Sequence, residues 1–547
     1  MGITASLQAH TTLEEILKKE ALRNLRKLST EEISAYYISY RVYEFTNFYT
    51  GSSFGELLPS YQNKSRYVQA IVRVGSPLQD NTHELKNQED NYMDNFQSSC
   101  IEIPIENDEQ AISLLLWNYT DEIYKKGMQR FQKILSDATV KTASDDKSSD
   151  FSEENKEVFS EKPISDKDFA KQATELSKRI CLYSAEFKEN KDLESGDASF
   201  QINLTRSYFV DTEGNSIAQN LLQYNLTLNA TTIADDGMTL PLYKSYFANS
   251  FKELPENPTV KKDAGEISQK LSKLRDAPIA DTYAGPALLS PEAAGVLFHE
   301  FFGHRLEGAR MKQDNDAQTF KKKIGEKVLS DDISIYFDPT IKYYKNMPLS
   351  GYYLFDDEGV KSRKVEIIKN GILQDFLMSR TPIDGHLHSN GHGRGMIFLK
   401  PVTRQSNMVI ESSTPKTDKE LRQCLIDELK KQNKPYGYIF DKVSGGFTNI
   451  NRIDANAFYV NPLLVYRIYI DDRPDELVRG VSLIGTPLSM FSHIEACGDE
   501  HQVFNGYCGA ESGNIPVSCV APAVYVKMIE TQKQPKSHVL PPILPRP

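Results

Sequence analysis

The sequence predicts an α+β fold, in which an N-terminal domain of helices on a mostly antiparallel sheet precedes a strand-rich C-terminal domain. In residues 1–261, runs rich in Tyr, Phe, Ile and Val alternate with turn residues, which is typical of strands. In residues 262–534, strand-like runs surround one strongly apolar helix. A chain of 547 residues suits two domains or more, because a single hydrophobic core seldom serves more than about 250–300 residues.

The N-terminal domain is expected to begin with a helix. Residues 12–15 resemble a capping box that opens an amphipathic helix, and residues 111–135 have a second helical pattern. Residues 35–74 predict strands, and further strands are predicted from the run Ile-Cys-Leu-Tyr-Ser at 180–184 onward. Residues 211–216, Asp-Thr-Glu-Gly-Asn-Ser, suit a tight turn between two of these strands.

Two stretches of the chain contain few large apolar side chains. Residues 136–168 are dense in Ser, Asp, Glu and Lys, which predicts a mobile loop or linker. For residues 151–161, a surface helix with solvated charges is the alternative. Residues 535–547 contain five prolines and are expected to form an extended, weakly ordered tail.

The charge and composition argue against several classes of protein. A net charge of −11 and a pI near 5.6 disfavour a nucleic-acid-binding surface, which would need a basic stripe. No apolar run reaches the roughly 18 residues that a membrane span requires, and the first residues lack the basic and apolar regions of a signal peptide. We therefore expect a cytoplasmic protein, or an exported one if a leader was removed before residue 1. The six cysteines are too few for a disulfide framework.

The strongly apolar helix is predicted to begin at residue 290. Ser290 is a good N-cap, Pro291 suits the first helical position, and Glu292 places a carboxylate in the first turn. The following residues, 293–302, are apolar on nearly all sides of a helix, which predicts that the helix is buried.

Two histidines and one glutamate lie in and just after this apolar run. His299, Glu300 and His304 suit a metal hydrolase, because imidazoles bind zinc and a carboxylate activates its water. The two histidines are five residues apart, which on a regular helix separates them by roughly 140°. A π-bulge near Gly303 would bring them to one side. The alternative is a buried helix whose histidines bond to backbone carbonyl groups.

The segment around these residues resembles the signature of a known family. Leu-Phe-His-Glu-Phe-Phe-Gly-His-Arg-Leu-Glu-Gly, at residues 297–308, is similar to the His-Glu-x-x-x-His motif of the TldD/PmbA family. The members of this family are zinc metallopeptidases that are also labelled modulators of DNA gyrase. The resemblance is dense from residue 284 to 517. It implies that His299 and His304 are zinc ligands and that Glu300 is the general base.

The third zinc ligand of the family is a cysteine in a Cys-Gly-x-x-Gly-x-x-x-Pro-Val segment. Cys-Gly-Ala-Glu-Ser-Gly-Asn-Ile-Pro-Val resembles it, which implies that Cys508 completes the ligand set and that the chain binds one Zn²⁺. Ser512 stands where the family has its second glycine and Gly513 comes just after, so the local turn departs from the family pattern. Cys497 and Cys519 are expected to be small buried hydrophobes, with Cys497, also followed by glycine, as the alternative ligand.

A glycine-rich loop lies farther along the chain. Residues 384–395 hold His386, His388 and His392 among four glycines, which suits a second metal site or a loop whose backbone closely approaches a partner. For His386 and His388, a turn with solvated side chains is the alternative. The family has a comparable Asn-Gly-x-Gly-Arg loop, followed by a Pro-x-x-Arg-x-Ser-Asn stretch that residues 401–407 resemble. By this resemblance, four residues line the cleft and bind substrate: His392, Arg394, Arg404 and Asn407.

Together, the motif and the resemblance imply a zinc-dependent peptidase that hydrolyses unfolded or short peptides by metal-activated water, with Glu300 as the general base. Glu307 is expected either to hold His304 or to be a plain surface carboxylate. The resemblance also implies an enclosed cavity in a homodimer, or in a heterodimer with a metal-free paralogue. The alternatives are a non-catalytic interaction protein with a structural zinc site, and a metal-dependent amidase that acts on small molecules.

Overall fold

The computed structural model describes residues 11–84, 100–136, 146–312, 318–448, 458–471, 473–485 and 493–534, together with residue 544. The chain forms two large sheets with helices packed against them, which confirms the α+β class. The predicted tail lies outside the described residues apart from residue 544. No helix within the described ranges is both long and apolar enough to cross a membrane.

Within the described ranges, the N-terminal sheet has nine strands. The strands are β1 (Ala35–Ser53), β2 (Glu56–Leu57), β3 (Tyr61–Ser76), β4 (Gln79–Asp80), β5 (Ile101–Glu102), β6 (Val158–Ser160), β7 (Leu193–Asp211), β8 (Ser216–Ile233) and β9 (Thr239–Ala248). Their main order is β4-β3-β1-β7-β8-β6, with β2 beside β1, β5 beside β3 and β9 beside β8. The described pairings are antiparallel except that of β6 with β8, so the sheet is mostly antiparallel, as predicted.

The predicted tight turn joins β7 to β8. The Asp211 Oδ1 atom accepts the N–H groups of Gly214 and Asn215, both at 2.9 Å. An aspartate that bonds to the backbone a few residues ahead is the usual device of such turns.

Four helices of the described chain pack on the N-terminal sheet. They are α1 (Leu13–Leu28), α2 (Glu109–Ser136), α3 (Phe169–Ser184) and α4 (Asn257–Asp276). Helices α1 and α2 share a core cluster with β1 and β3, whereas α3 and α4 share another with β7 and β8. The predicted domain boundary at residue 261 falls inside α4, whose apolar face belongs to the N-terminal core.

The strand predicted at residues 180–184 is wrong, since these residues form the last turn and a half of α3. Leu176, Ile180 and Tyr183 are buried and lie three or four residues apart, which is the period of a helix. A short apolar run does not by itself distinguish a strand from a buried helical turn.

The described part of the predicted linker packs against both domains instead of forming a free loop or a surface helix. The guanidinium groups of Arg73 and Arg380 each lie over the buried ring of Phe151, 3.7 Å from its centroid. The Ser152 N–H donates to the Arg380 carbonyl at 3.0 Å, and β6 then joins the N-terminal sheet. Because these contacts use backbone groups and one aromatic ring, the polar composition does not reveal them.

The described residues of the C-terminal domain form fifteen strands, of which eleven belong to one sheet. The strands are β10 (Ala284–Leu289), β11 (Ile333–Phe337), β12 (Tyr343–Tyr344), β13 (Met347–Pro348), β14 (Val365–Lys369), β15 (Ile372–Leu373), β16 (Gly393–Arg394), β17 (Val402–Thr403), β18 (Asn407–Ser412), β19 (Tyr436–Thr448), β20 (Phe458–Tyr469), β21 (Glu476–Val478), β22 (Val481–Gly485), β23 (Ile494–Ala510) and β24 (Gly513–Lys533). The main order is β10-β19-β20-β22-β24-β18-β11-β14-β15, with β21 beside β20 and β23 beside β24. Two further pairs, β12 with β13 and β16 with β17, are separate.

Two of the described α-helices belong to the C-terminal domain, α5 (Pro291–Phe301) and α6 (Asp418–Lys431). Two short 3-10 helices follow α5, at Gly303–Leu306 and Gly308–Met311. Helix α5 packs against β19, β23 and β24, so the side chains at its end reach residues on these strands.

Candidate metal site

Helix α5 begins where the sequence predicts. Ser290 is its N-cap, and the Ser290 Oγ atom accepts the N–H of Ala293 at 3.2 Å. Residues 293–301 are all buried, as expected for a helix that is apolar on nearly all sides. Gly295 allows close packing on β24, because a Cβ atom there would lie 3.1 Å from the Cβ of Cys519.

The prediction of a π-bulge near Gly303, at the end of α5, is wrong. The α-helix stops at Phe301, and the chain continues as the 3-10 helix that starts at Gly303. This tighter turn brings the two imidazole rings of the motif together, with their centroids 5.0 Å apart. Gly303 serves close packing: a Cβ atom there would lie 1.9 Å from the Oε1 atom of Gln405.

The three predicted zinc ligands meet at the end of this helix. Ligand atoms of His299, His304 and Cys508 all lie within 4.8 Å of one another. The Cys508 Sγ atom is 3.3 Å from the Nε2 atom of His304, although the two residues are 204 positions apart. The three residues are only 7%, 6% and 4% exposed, respectively. The structure therefore gathers the two histidines of the motif and the predicted cysteine in one buried cluster.

Cys508 is placed by the hairpin of β23 and β24. It pairs with Ile515, and the turn is closed between Ala510 and Gly513. Gly513 has a φ of +87°, in the left-handed region that favours glycine. The glycine that follows Ser512 therefore meets the requirement of the turn, although it stands one position later than in the family pattern.

The donor set of this cluster fits zinc. Bond lengths of about 2.0–2.1 Å to nitrogen and about 2.3 Å to sulfur place two ligand atoms of a tetrahedral ion about 3.3–3.7 Å apart. The distance of 3.3 Å between Cys508 Sγ and His304 Nε2 lies at this spacing. Imidazole and thiolate are also the two ligand types that zinc most often takes in proteins.

The side chains of the cluster are electrostatically coupled. Burial opposes ionisation of Cys508, but His304 and His299 lower the pKa of its thiol well below the usual value. Burial also opposes a charged His304, yet the Cys508 thiolate and Glu307 raise the pKa of this imidazole to about 9. Burial likewise opposes a charged His299, yet Cys508 raises the pKa of this imidazole well above its usual value. The two imidazoles therefore favour the thiolate form of Cys508, which is the form that binds metals.

Glu300 lies beside the cluster with little access to water. It is 9% exposed, and burial raises the pKa of its carboxyl group, although the nearby charge of His299 acts in the opposite direction. Gly446 of β19 provides the space, because a Cβ atom there would lie 2.3 Å from the Cγ of Glu300. Sequence reasoning misses Gly446, since no local pattern connects a glycine of a strand to a helix so far away in the chain.

Glu307 is a buried partner of His304, not a surface carboxylate. Its Oε2 atom lies 3.2 Å from the His304 Nδ1 atom and accepts the Arg310 Nε–H at 2.8 Å. Burial favours the neutral acid, but His304, Arg310 and Arg404 lower the pKa of Glu307 to about 2. Arg310 also donates to Glu511 at 2.8 Å. Sequence reasoning misses Arg310, although its position three residues after Glu307 is a signal that could have found it.

The four residues predicted to bind substrate are all buried in the structure: His392, Arg394, Arg404 and Asn407. Arg394 donates to two backbone carbonyl groups at 2.8 and 2.9 Å, and Asn407 to two others at 3.1 and 3.0 Å. Both ring nitrogens of His392 have protein partners, and Arg404 donates to Cys508. These side chains are thus engaged within the protein, and their contact with substrate stays a prediction.

The remaining candidates lie outside the cluster. His386 pairs with an aspartate at 3.0 Å, His388 is exposed, and among the described residues the loop histidines form no metal-binding group. Cys497 is buried, which raises the pKa of its thiol to about 12, and it is not part of the cluster. The Cys519 Sγ atom lies 3.9 Å from the Nδ1 atom of His299 but also outside the group of three ligands.

The C-terminal domain matches a known family. Residues 282–533 match the model of the PmbA/TldA metallopeptidase C-terminal domain. A metalloprotease of Methanothermobacter thermautotrophicus is 27% identical over 59% of this chain and 66% of its own length. A zinc metalloprotease TldD homologue of Saccharolobus solfataricus is 26% identical over 49% of this chain and 57% of its own length. The matched part therefore spans less than two thirds of the length of these relatives.

Solved structures share the fold over nearly the whole chain. TldE from Thermococcus kodakarensis has a TM-score of 0.61 over 93% of this chain and 99% of its own, at 14% identity. A protein of Thermotoga maritima described as a modulator of a DNA gyrase has a TM-score of 0.61 over 94% of this chain and 100% of its own, at 15% identity. At these identities the likeness concerns the fold. Residues 282–533 thus match the PmbA/TldA metallopeptidase C-terminal domain, which confirms the predicted resemblance of this part of the chain to the TldD/PmbA family.

Proposed function

We propose that the chain is a zinc-dependent peptidase in which His299, His304 and Cys508 hold the ion. The observation that carries this proposal is the buried group of two imidazoles and one thiolate beside the carboxyl group of Glu300. Zinc bound there would polarise the scissile carbonyl group and lower the pKa of water. Relatives named metalloproteases support peptide bonds as the target.

Glu300 is the general base in this proposal. Its carboxylate takes a proton from the attacking water as the water oxygen bonds to the carbonyl carbon. It then gives that proton to the amine nitrogen as the carbon–nitrogen bond breaks. Burial raises the pKa of Glu300, which strengthens the carboxylate as a base near neutral pH.

The number of donors favours a catalytic over a structural zinc site. A structural site has four protein ligands, whereas a catalytic site keeps one position open. In the part of the chain that the structure describes, the group has three members. Cys519 contacts His299 but lies outside this group, which supports three protein ligands over four.

The substrate class and the assembly follow from the same proposal. An unfolded or short peptide suits ligands that are only 4–7% exposed, because a folded protein could not present its backbone to so buried a site. The family resemblance supports a dimer, with either a second copy of this chain or a metal-free paralogue. Since this chain carries the complete His-Glu-x-x-x-His motif, it would be the metal-binding partner of such a pair.

Mass-spectrometric mapping of cleavage sites in an unfolded peptide mixture tests the peptidase activity. We expect zinc-loaded wild-type protein to cut peptides, and Glu300→Gln to cut at least about 100-fold more slowly with unchanged zinc content, because a general base contributes about 10²–10⁴-fold. Glu292→Gln is the matched control, since Glu292 lies in the first turn of the same helix with Lys442 as its partner at 2.9 Å. This variant should cut as the wild type does.

Two outcomes would contradict the proposal in different ways. If the wild type binds zinc but produces no cuts, the chain alone is not a peptidase, and a binding role or a required partner chain becomes the better explanation. If Glu300→Gln cuts as fast as the wild type, Glu300 is not the general base.

A further inference from the structure

Arg404 lies directly against the cysteine of the candidate metal site. It is fully buried, and its Nη2 atom donates to the Cys508 Sγ at 3.1 Å and to the Cys508 carbonyl at 2.6 Å. Its Nη1 atom donates to the Ser512 Oγ at 2.8 Å and to the Gly513 carbonyl at 2.9 Å. One guanidinium group therefore holds both the thiolate sulfur and the hairpin turn that carries it.

The same guanidinium group also faces the partner of a histidine ligand. The Arg404 Nε atom lies 3.7 Å from the Glu307 Oε1 atom, and within the described residues neither atom has a hydrogen-bond partner. The other carboxylate oxygen of Glu307 lies 3.2 Å from the His304 Nδ1 atom. A continuous buried series of charged groups thus connects Cys508, on the hairpin, with His304, after helix α5.

We propose that Arg404 is a positioning residue for the metal site, which orients the thiolate of Cys508 directly and the imidazole of His304 through Glu307. This inference rests on the proposed zinc site and gives Arg404 a role other than substrate binding. Arginine suits the role, because its planar fork of N–H donors fixes several acceptors at once. Its positive charge also compensates two buried anions, the thiolate and the carboxylate, whose burial would otherwise be costly.

Metal binding by an Arg404→Lys variant tests this proposal. Lysine keeps the positive charge, but its ammonium group is a point charge that cannot reproduce the planar fork. In competition with a chromophoric chelator, Arg404→Lys should bind zinc about 10- to 100-fold more weakly, which is the usual effect of losing a partner that orients a metal ligand. With Co²⁺ in place of zinc, the thiolate-to-metal charge-transfer band should be weaker or shifted.

Arg66→Lys is the matched control. Arg66 is also buried and donates to the Pro104 carbonyl at 2.9 Å and to Glu44 at 2.6 Å, in the N-terminal domain. The substitution therefore removes a comparable fork from a site without metal ligands. We expect a lower unfolding temperature for Arg66→Lys, with the zinc affinity and the cobalt spectrum of the wild type.

A second variant keeps the test decisive if Arg404→Lys does not fold. Glu307→Gln preserves the side-chain shape but removes the charge that links Arg404 to His304, and it should weaken zinc binding to a similar extent. Unchanged zinc affinity and an unchanged cobalt band in a folded variant would overturn the role of Arg404 while leaving the zinc site in place. Failure of the wild type to bind zinc would overturn the proposed metal site itself, and the positioning role with it.

Discussion

His392 is a histidine that the protein holds in its neutral form. Burial, together with the charge of Arg394, lowers the pKa of its imidazole to about 3. Its Nδ1 atom donates to the Asn390 Oδ1 at 3.0 Å, and its Nε2 atom accepts the hydroxyl of Ser406 at 3.1 Å. One neutral tautomer satisfies both contacts, because a neutral imidazole has one donor and one acceptor.

Lowering the pH should therefore destabilise the protein through His392. The imidazole titrates near pH 6.5 in the unfolded chain and near 3 in the folded one, so between these values the unfolded state binds one more proton. The contribution of neutral His392 to the free energy of unfolding is complete above about pH 6.5. Below this pH it falls by about 1.4 kcal/mol per pH unit. Urea denaturation from about pH 7 to about pH 5 measures the free energy of unfolding.

The comparison with His392→Gln isolates this effect. The variant should be less stable than the wild type near neutral pH, because it loses the packing and hydrogen bonds of the ring. The difference in unfolding free energy should narrow as the pH falls. A difference that stays constant over this range would show that His392 is not the source of the pH dependence.

At the scale of the element, the end of α5 is decided by a neighbouring side chain. A Cβ atom at residue 303 would lie 1.9 Å from the Oε1 atom of Gln405, whose Nε2 atom donates to the His299 carbonyl at 3.4 Å. The 3-10 turn and Gln405 therefore fit together only if residue 303 is glycine. This contact also fixes the part of the backbone that carries the candidate ligands.

Gly303→Ala should destabilise the protein by about 1–3 kcal/mol, because overpacking of a buried site forces side chains and backbone to shift. Gly265→Ala, in the middle of α4, is the matched control. Within the described residues, no neighbouring atom lies within 4 Å of a Cβ at this position, so the variant should be about 0.5–1 kcal/mol more stable than the wild type. Thermal unfolding of both variants measures these changes. If Gly303→Ala is as stable as the wild type, Gln405 can move away from residue 303 without an energetic cost.

At the scale of the whole molecule, buried arginines join the two domains. Arg41 of β1 donates to three backbone carbonyl groups in residues 395–399, at 2.7 to 2.8 Å. In the opposite direction, Arg380 of the C-terminal domain donates to the Ser152 carbonyl at 2.5 Å and packs on the ring of Phe151. Because these contacts are buried, opening the interface would leave several polar groups without partners, and the domains should unfold together.

Arg41→Met should weaken this coupling, because each buried carbonyl group left without a donor costs about 1–3 kcal/mol. Trp117, the one tryptophan of the chain, lies in α2 and reports the N-terminal domain by fluorescence, whereas circular dichroism reports both domains. The urea unfolding transitions recorded by fluorescence and by circular dichroism should coincide in the wild type and separate in Arg41→Met. The surface variant Arg23→Met should keep them together. Coincident transitions with an unchanged midpoint in Arg41→Met would contradict the proposed coupling.

Local signals in the sequence predicted the features that depend on neighbouring residues. The start of α5 at Ser290 and the turn at residues 211–216 are confirmed, because capping and turn chemistry involve residues only a few positions apart. The strand at 180–184 and the π-bulge near Gly303 are wrong, because packing against other segments decides both. The same short apolar or polar run fits more than one local structure until its neighbours are known.

The sequence by itself identified the residues that the structure brings together. His299, Glu300 and His304 are recognisable from one motif, and Cys508 from the resemblance to a family. Only the tertiary structure decided the distances between them, the burial of Glu307 and the contact of Arg404 with Cys508. These properties arise between segments far apart in the chain, and burial changes the energy of every charge involved, so no local pattern encodes them.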